Sequence, residues 1–140
     1  MIQQKLDMFL PKYLDILLNS EFSDEIMEIR IEGHTDPVRF DALDKDPYIA
    51  NVILSQRRAL EVLKYLRKLP MYEELDSANK AKLNFWFTAN GFSYGKSLDS
   101  SGEYTYVSKN DIDNDKSRRV EFRIITRGDD ILIDFVNKNK

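Results

Sequence analysis

The sequence predicts a single α+β domain in which helices pack on one face of a mixed sheet. Three observations support this fold class. Apolar residues recur at helical spacing near the N-terminus, three later stretches alternate apolar and polar residues, and the elements follow the order helix, strand, helix, strand, strand. The 140 residues are enough for one buried core but too few for two domains of ordinary size.

The first helix is predicted over residues 2–19, where apolar side chains fall on one helical face and Pro11 allows a kink. The apolar positions are Leu6, Met8, Phe9, Leu10, Tyr13, Leu14, Ile16, Leu17 and Leu18. A short polar break separates this helix from the first strand. That strand is predicted over residues 26–33, because Ile29 and Ile31 alternate with charged neighbours.

The next helix has two candidate starts after an aspartate-rich loop over residues 36–48. Asp46 is a good N-cap with Pro47 in the first turn, and Ser55 is an alternative N-cap. Either start gives a helix that ends near Pro70. Its buried face is formed by Ala59, Val62, Leu63 and Leu66.

Two further strands are predicted in the second half of the chain. Alternation over residues 83–91 predicts the second strand, after a weakly helical stretch at 71–80. Residues 92–117 are polar and predict a long excursion with a short extended piece at 104–107. The third strand is predicted over 120–126.

The composition argues against several classes of function. The chain has no cysteine, so it forms no disulfide, thiol nucleophile or cysteine zinc site. The net charge of −3, with basic residues interspersed among acids, disfavours a nucleic-acid partner. No apolar run approaches a membrane span of about 18 residues, and the N-terminus lacks the pattern of a signal peptide.

Arg57 and Arg58 are unfavourably placed for the helix dipole under one of the two predicted helix starts. If the helix begins at Ser55, both lie in its first turn, where a cation is disfavoured by about 0.3–1 kcal/mol. An acid such as Asp36 would compensate, and an arginine beside free helix N–H groups would form an anion site. Solvated arginines or a structural ion pair remain the alternative.

Metal, cofactor and catalytic sites find little support. His34 and Asp36 lie on one strand tip, but the chain has no second histidine to complete a zinc site. Asp111, Asp113 and Asp115 alternate like the start of a calcium loop, yet Phe122 stands where that loop needs a glutamate. We therefore expect no metal, no cofactor and no enzyme activity, and we assign Trp86 to the core.

Four pieces, taken in order, resemble the OmpA-like peptidoglycan-binding domain, including its stator-type (MotB/ZorB-like) branch. The pieces are "IEGHTD" (31–36), "NVILSQRRALEVLKYL" (51–66), "ANGFS" (89–93) and "SRRVEFRI" (117–124). The resemblance covers about residues 2–127. It implies an OmpA-like βαβαβ-type sandwich as one domain over 1–140, with 128–140 as a C-terminal extension.

The resemblance also implies a ligand site for the diaminopimelate of the cell-wall stem peptide. Asp36 would receive the ligand's ammonium and Arg58 its carboxylate, while Asn51 and Arg118 would line the cleft. The chain departs from the family in the separation of Asp36 and Arg58, which is 22 residues where about 15 is usual, and in the loop between them. The family's first strand also has no counterpart, so we expect a piece of a longer protein.

The function that the resemblance implies is a non-catalytic module that anchors a membrane-attached protein to peptidoglycan. A stator-type subunit, as in flagellar motors and motor-like phage-defence complexes, is the favoured parent, and the implied location is periplasmic, tethered through an upstream segment. Homodimers are compatible with that parent. The alternative is an OmpA-like protein-interaction or dimerisation module that has lost wall binding, and a wall hydrolase is a third hypothesis.

Overall fold

The computed structural model describes residues 2–21, 23–37 and 42–127. The helices are α1 (Ile2–Asn19), α2 (Pro47–Arg67), α3 (Pro70–Glu73), α4 (Ser77–Trp86), α5 (Thr105–Ser108) and α6 (Asn114–Ser117), with a 3₁₀ turn at Ser23–Glu25. The strands are β1 (Ile26–His34), β2 (Phe87–Gly91) and β3 (Arg119–Thr126). The predicted extension 128–140 lies outside the described residues.

The three strands form a mixed sheet in the order β2–β1–β3. β1 pairs in parallel with β2 and antiparallel with β3, so β1 is the central strand. The predicted α+β class with a mixed sheet is therefore confirmed. Because side chains alternate along a strand, Ile29 and Ile31 share one face of β1, while Arg30 and Glu32 share the other.

The helices bury the apolar face of this sheet. α1, α2 and α4 contribute to a single core together with Ile29, Ile31 and Phe87. The helical members of this core are Leu10, Leu14, Leu17, Ala59, Val62, Leu66, Leu83 and Trp86. The Trp86 indole N–H donates to the carbonyl of Ile26 at 3.2 Å, which ties the end of α4 to the start of β1. The assignment of Trp86 to the core is thus confirmed.

Two glycines bring α2 close to the sheet. Gly33 and Gly91 are register partners on β1 and β2. A Cβ atom at Gly33 would lie 2.0 Å from the Ser55 carbonyl oxygen, and one at Gly91 would lie 2.4 Å from that of Val52. The middle of α2 therefore packs against the backbone where β1 and β2 end, and this contact fixes α2 beside the β1 tip.

Two sequence predictions were wrong in their boundaries. The alternation over 83–91 was assigned to a strand, but residues 77–86 are helical and the strand begins at Phe87. Leu83 and Trp86 are buried at helical spacing while Phe85 is 61% exposed. The piece at 104–107 is not extended, since α5 covers most of it, although Tyr104 forms an isolated bridge with Leu98.

Candidate functional site

The tip that follows β1 is held in place from the end of β2. The Thr35 N–H donates to the Ser93 carbonyl at 2.9 Å, and the Phe92 N–H donates to the Gly33 carbonyl at the same distance. Ser93 is itself anchored on α2, because its N–H donates to the Ser55 hydroxyl at 3.1 Å. These bonds place Asp36 at a defined point, where it is only 4% exposed.

Arg118 provides a counter-charge for this buried carboxylate. Its Nη1 donates to Asp36 Oδ2, and its Nη2 donates to Asp115 Oδ1. α6 sets the position of the arginine, because Arg118 is its C-cap and Asp113 caps its N-terminus. Ser117 fixes α6 to the preceding excursion, since its hydroxyl accepts the Leu98 N–H at 2.9 Å.

A groove of about 750 Å³ opens beside Arg118, between α1, α2 and β3. Arg58, Arg118 and Arg119 line it together with apolar side chains. The apolar lining consists of Leu6, Phe9, Val62, Val120 and Phe122. Because no acidic side chain is among these lining residues, the groove presents cationic groups above an apolar surface.

Two of the four predicted site residues line this groove, and the other two do not. Arg58 and Arg118 line it together, and Asp36 is reached through its ion pair with Arg118. Asn51 is buried earlier in α2, where its amide donates to the Pro47 carbonyl at 2.8 Å, and it is not among the groove-lining residues.

α2 begins at the earlier of its two predicted starts. α2 begins at Pro47, and the side chain of its N-cap Asp46 accepts the Tyr48 N–H at 2.9 Å. Arg58 lies eleven residues further on, which is about 16 Å along a helix that rises 1.5 Å per residue. Of the two predicted starts, Asp46 as the N-cap is therefore confirmed and Ser55 is wrong, so Arg57 and Arg58 do not lie beside the free N–H groups of the first turn. An anion bound by Arg58 would contact its side chain and not these N–H groups.

A second polar cluster lies on the sheet face opposite the core. Glu32, 2% exposed, accepts from Arg123 Nε at 2.9 Å, and its other oxygen lies 3.3 Å from His34 Nε2. Glu121 accepts from Arg119 Nε at 2.5 Å. The sequence analysis missed this cluster, although its signal is present as charged residues at alternate positions of β1 and β3.

The pKa of His34 is lower than that of an exposed histidine. Burial lowers its pKa below the ordinary value of 6.5, and the nearby charge of Arg119 lowers it further, against the opposing effect of Glu32 and Glu121. Its ring stacks on Phe92 with centroids 5.0 Å apart, and its Nδ1 is buried without a hydrogen-bond partner among the described residues.

Among the described residues, Glu32, His34 and Glu121 form the group whose chemistry suits a metal ion. One ligand atom from each lies within 4.8 Å of the others. Both carboxylates are already paired with arginines, however: Glu32 with Arg123, and Glu121 with Arg119 and Arg123. A cation would have to compete with these guanidinium groups, so the arrangement is that of an ionic network.

Comparison with known proteins identifies a relative of this chain. No family model matches it. It is 33% identical to the Zorya protein ZorB of Escherichia coli over 126 residues, which are 89% of this chain. The chain is homologous to ZorB. The recognition of an OmpA/MotB-like domain of the stator type is thereby confirmed.

The match to ZorB extends over only part of that protein. The chain spans about half, 48%, of the length of the ZorB it matches. A solved structure of a MotB-like protein from Desulfovibrio vulgaris is also similar, with 24% identity, a TM-score of 0.47 and coverage of 84% of this chain and 60% of that one. Within the described residues, no helix is long and apolar enough to cross a bilayer.

Proposed function

We propose that this ZorB-like domain is a non-catalytic peptidoglycan-binding module that anchors a membrane-attached stator-type protein to the cell wall. Its ligand is the free zwitterionic end of diaminopimelate in the stem peptide. Asp36 receives the ammonium, Arg58 receives the carboxylate, and Arg118 lines the site. Asn51 supports the site from within α2.

The observation that carries this proposal is a cationic groove in which one of the lining arginines pairs with a buried carboxylate. Arg58 and Arg118 line one groove, and Arg118 contacts Asp36. An amino acid's charged end needs one cation and one anion a few ångströms apart, and charge-assisted contacts of this kind contribute about 1.5–3 kcal/mol each. The apolar lining also accommodates the methylene chain of the ligand.

The proposed cellular setting follows from the homology. A stator-type wall anchor acts in the periplasm, joined to the membrane by a part of the protein outside this chain. Ordering and desolvation reduce the affinity of a two-contact site, so several copies acting together would provide firm attachment. A pair of such domains in a homodimer would supply this multivalency.

The decisive experiment titrates a diaminopimelate-containing stem peptide into the wild-type domain and three variants by calorimetry. Asp36→Asn and Arg58→Ala should each weaken binding about ten- to hundredfold, which corresponds to the loss of one charge-assisted contact. Arg57→Ala is the matched control, since Arg57 is an exposed arginine on the same helix that is not among the groove-lining residues. It should bind as the wild type does.

The comparison is valid only for variants that circular dichroism and thermal melting show to be folded. Binding that is absent from the wild type, or equally strong in all three variants, would contradict wall anchoring through this groove. Retention of the fold without peptide binding would favour the alternative, a protein-interaction module. Release of soluble fragments from sacculi would instead indicate an enzyme.

A further inference from the structure

Arg118 is a bridging cation between two carboxylates of very different environment. Asp36 is almost fully buried, with a side chain that is 6% exposed, whereas the Asp115 side chain is 89% exposed. Arg118 itself is 44% exposed. One of its nitrogens is therefore held in the protein interior, and the other is held at the surface.

This bridge competes with the proposed ligand. The ammonium of diaminopimelate would bind Asp36, but in this structure a guanidinium group already donates to that carboxylate. Removing a charged partner from a buried carboxylate is costly, so the departure of Arg118 from Asp36 is favoured when another cation takes its place. Binding of the ammonium at this oxygen then exchanges one ion pair for another.

We propose that Arg118 is an internal stand-in for the ligand's ammonium and that it makes the site selective for zwitterions; this inference rests on the proposed function. When the ammonium pairs with Asp36, Arg118 turns into the groove that it already lines and pairs with the ligand's carboxylate beside Arg58. Asp115 remains in contact with the second guanidinium nitrogen and guides this movement. No covalent bond changes.

The exchange predicts that a ligand with only one charge binds poorly. A simple amine would displace Arg118 from a buried carboxylate and leave it only Asp115, whose exposed ion pair adds little. A simple carboxylate would leave Arg118 bound to Asp36. A zwitterion satisfies both groups at once, so its two charges act cooperatively.

The test compares the stem peptide with an analogue whose diaminopimelate carboxylate is amidated, so that its ammonium is kept. In the wild type the amidated peptide should bind at least about thirtyfold more weakly. Arg118→Gln removes the competing cation, so the ammonium alone then gains access to Asp36. In this variant the affinity gap, which is the ratio of the two peptides' dissociation constants, should be about tenfold smaller than in the wild type.

Two controls separate this role from a structural one. Arg118→Lys keeps a competing cation and should retain most of the wild-type gap. Asp111→Asn removes an exposed carboxylate from the same segment and should not affect binding, whereas Asp115→Asn should weaken binding of the full peptide about two- to fivefold.

A spectroscopic measurement follows Arg118 directly in the wild type and covers the case in which Arg118→Gln does not fold. The side-chain Nε–H resonance of Arg118, observed with ¹⁵N-arginine, should shift on addition of the full peptide and much less on addition of the amidated one. Equal shifts, or an unchanged gap in folded Arg118→Gln, would overturn the exchange and leave the proposed function standing. Absence of binding by the wild type would overturn both.

Discussion

Glu32 and His34 occupy a region of β1 where charged groups are rarely found without compensation. Both are 2% exposed, yet Glu32 is a potential anion at the centre of the sheet's polar face. Arg123 donates to it with two nitrogens, at 2.9 and 3.4 Å, and Arg30 lies 3.8 Å away. These contacts offset the cost of removing the carboxylate from water. Hydrogen bonding to Glu32 in turn raises the pKa of Arg123.

His34 should make the domain less stable as the pH falls below about 6.5, the ordinary pKa of histidine. Because its pKa in the folded state lies below the 6.5 of an exposed histidine, the unfolded chain binds the proton more readily. Acidification below about pH 6.5 therefore lowers the free energy of unfolding, by at most about 1.4 kcal/mol per pH unit for one proton. Urea unfolding of the wild type and of His34→Gln at pH 7.0 and 5.5 measures this effect.

The His34→Gln variant should show a smaller loss of stability between the two pH values. Asp99 and Glu121, whose pKa values are also lowered, lose their contributions to stability below their ordinary pKa values of 3.8 and 4.5, outside the interval from pH 7.0 to 5.5. Parallel pH profiles for the two proteins would mean that His34 titrates alike in the folded and unfolded states.

At the scale of elements, the approach of α2 to the sheet depends on Gly33. We expect Gly33→Ala to destabilise the domain by about 2–3 kcal/mol, since a Cβ there would overlap the backbone oxygen of Ser55 and neither element can yield easily. Chemical denaturation measures the loss. Gly95→Ala is the control, because its Cβ would meet Tyr48 at an ordinary 3.7 Å. Equal stability of both variants would show that α2 can move away without cost.

The sequence predicted best those elements in which the spacing of the apolar residues agrees with the face that is buried. α1 and β1 follow the predicted bounds closely because one face of each is buried and regular. α4 was missed at residues 83–86, where apolar residues alternate by chance although the helix buries only Leu83 and Trp86. The contact that decides this is the Trp86 indole on Ile26, sixty residues away, which no local pattern reveals.

The contacts among the predicted site residues could not be read from the sequence. Asp36, Arg58 and Arg118 were all named from the family resemblance, and the structure places Arg118 against Asp36 and beside Arg58. The ion pair between Asp36 and Arg118 spans 82 residues. The ion pair depends on where α6 places its C-cap residue, Arg118. The sequence of this short helix contains only polar residues, which are typical of a loop.

At the scale of the whole molecule, the site joins three regions that are distant in sequence. Asp36 comes from the tip of β1, Arg58 from the middle of α2 and Arg118 from the end of the polar excursion over 92–117. The net charge of the chain is −3, yet the groove lining carries three arginines and no acid. The fold thus concentrates positive charge locally, which is suited to recognition of a carboxylate.

Asp99 holds the middle of the excursion together. This carboxylate accepts the backbone N–H groups of Ser101 and Glu103 at 2.9 and 3.0 Å and the Asn110 amide at 3.0 Å. Hydrogen bonds from Ser108 and Asn110, and from the Glu103 backbone, lower the pKa of Asp99 to about 2. Its contribution is therefore complete at neutral pH and is lost only as the pH falls from about 3.8 towards 2.

Asp99→Ala should loosen the excursion while leaving the core folded. Leu98 holds Ser117, the residue before Arg118, so the loss of Asp99 should shift the arginine and weaken stem-peptide binding several-fold. Hydrogen exchange followed by mass spectrometry should show faster exchange over residues 97–117 and unchanged exchange over β1, because few core contacts hold the excursion. Ser101→Ala keeps the backbone N–H that donates to Asp99 and serves as the control. Faster exchange over β1 as well would show that the excursion and the sheet unfold as one unit, and that Arg118 is positioned by the whole domain.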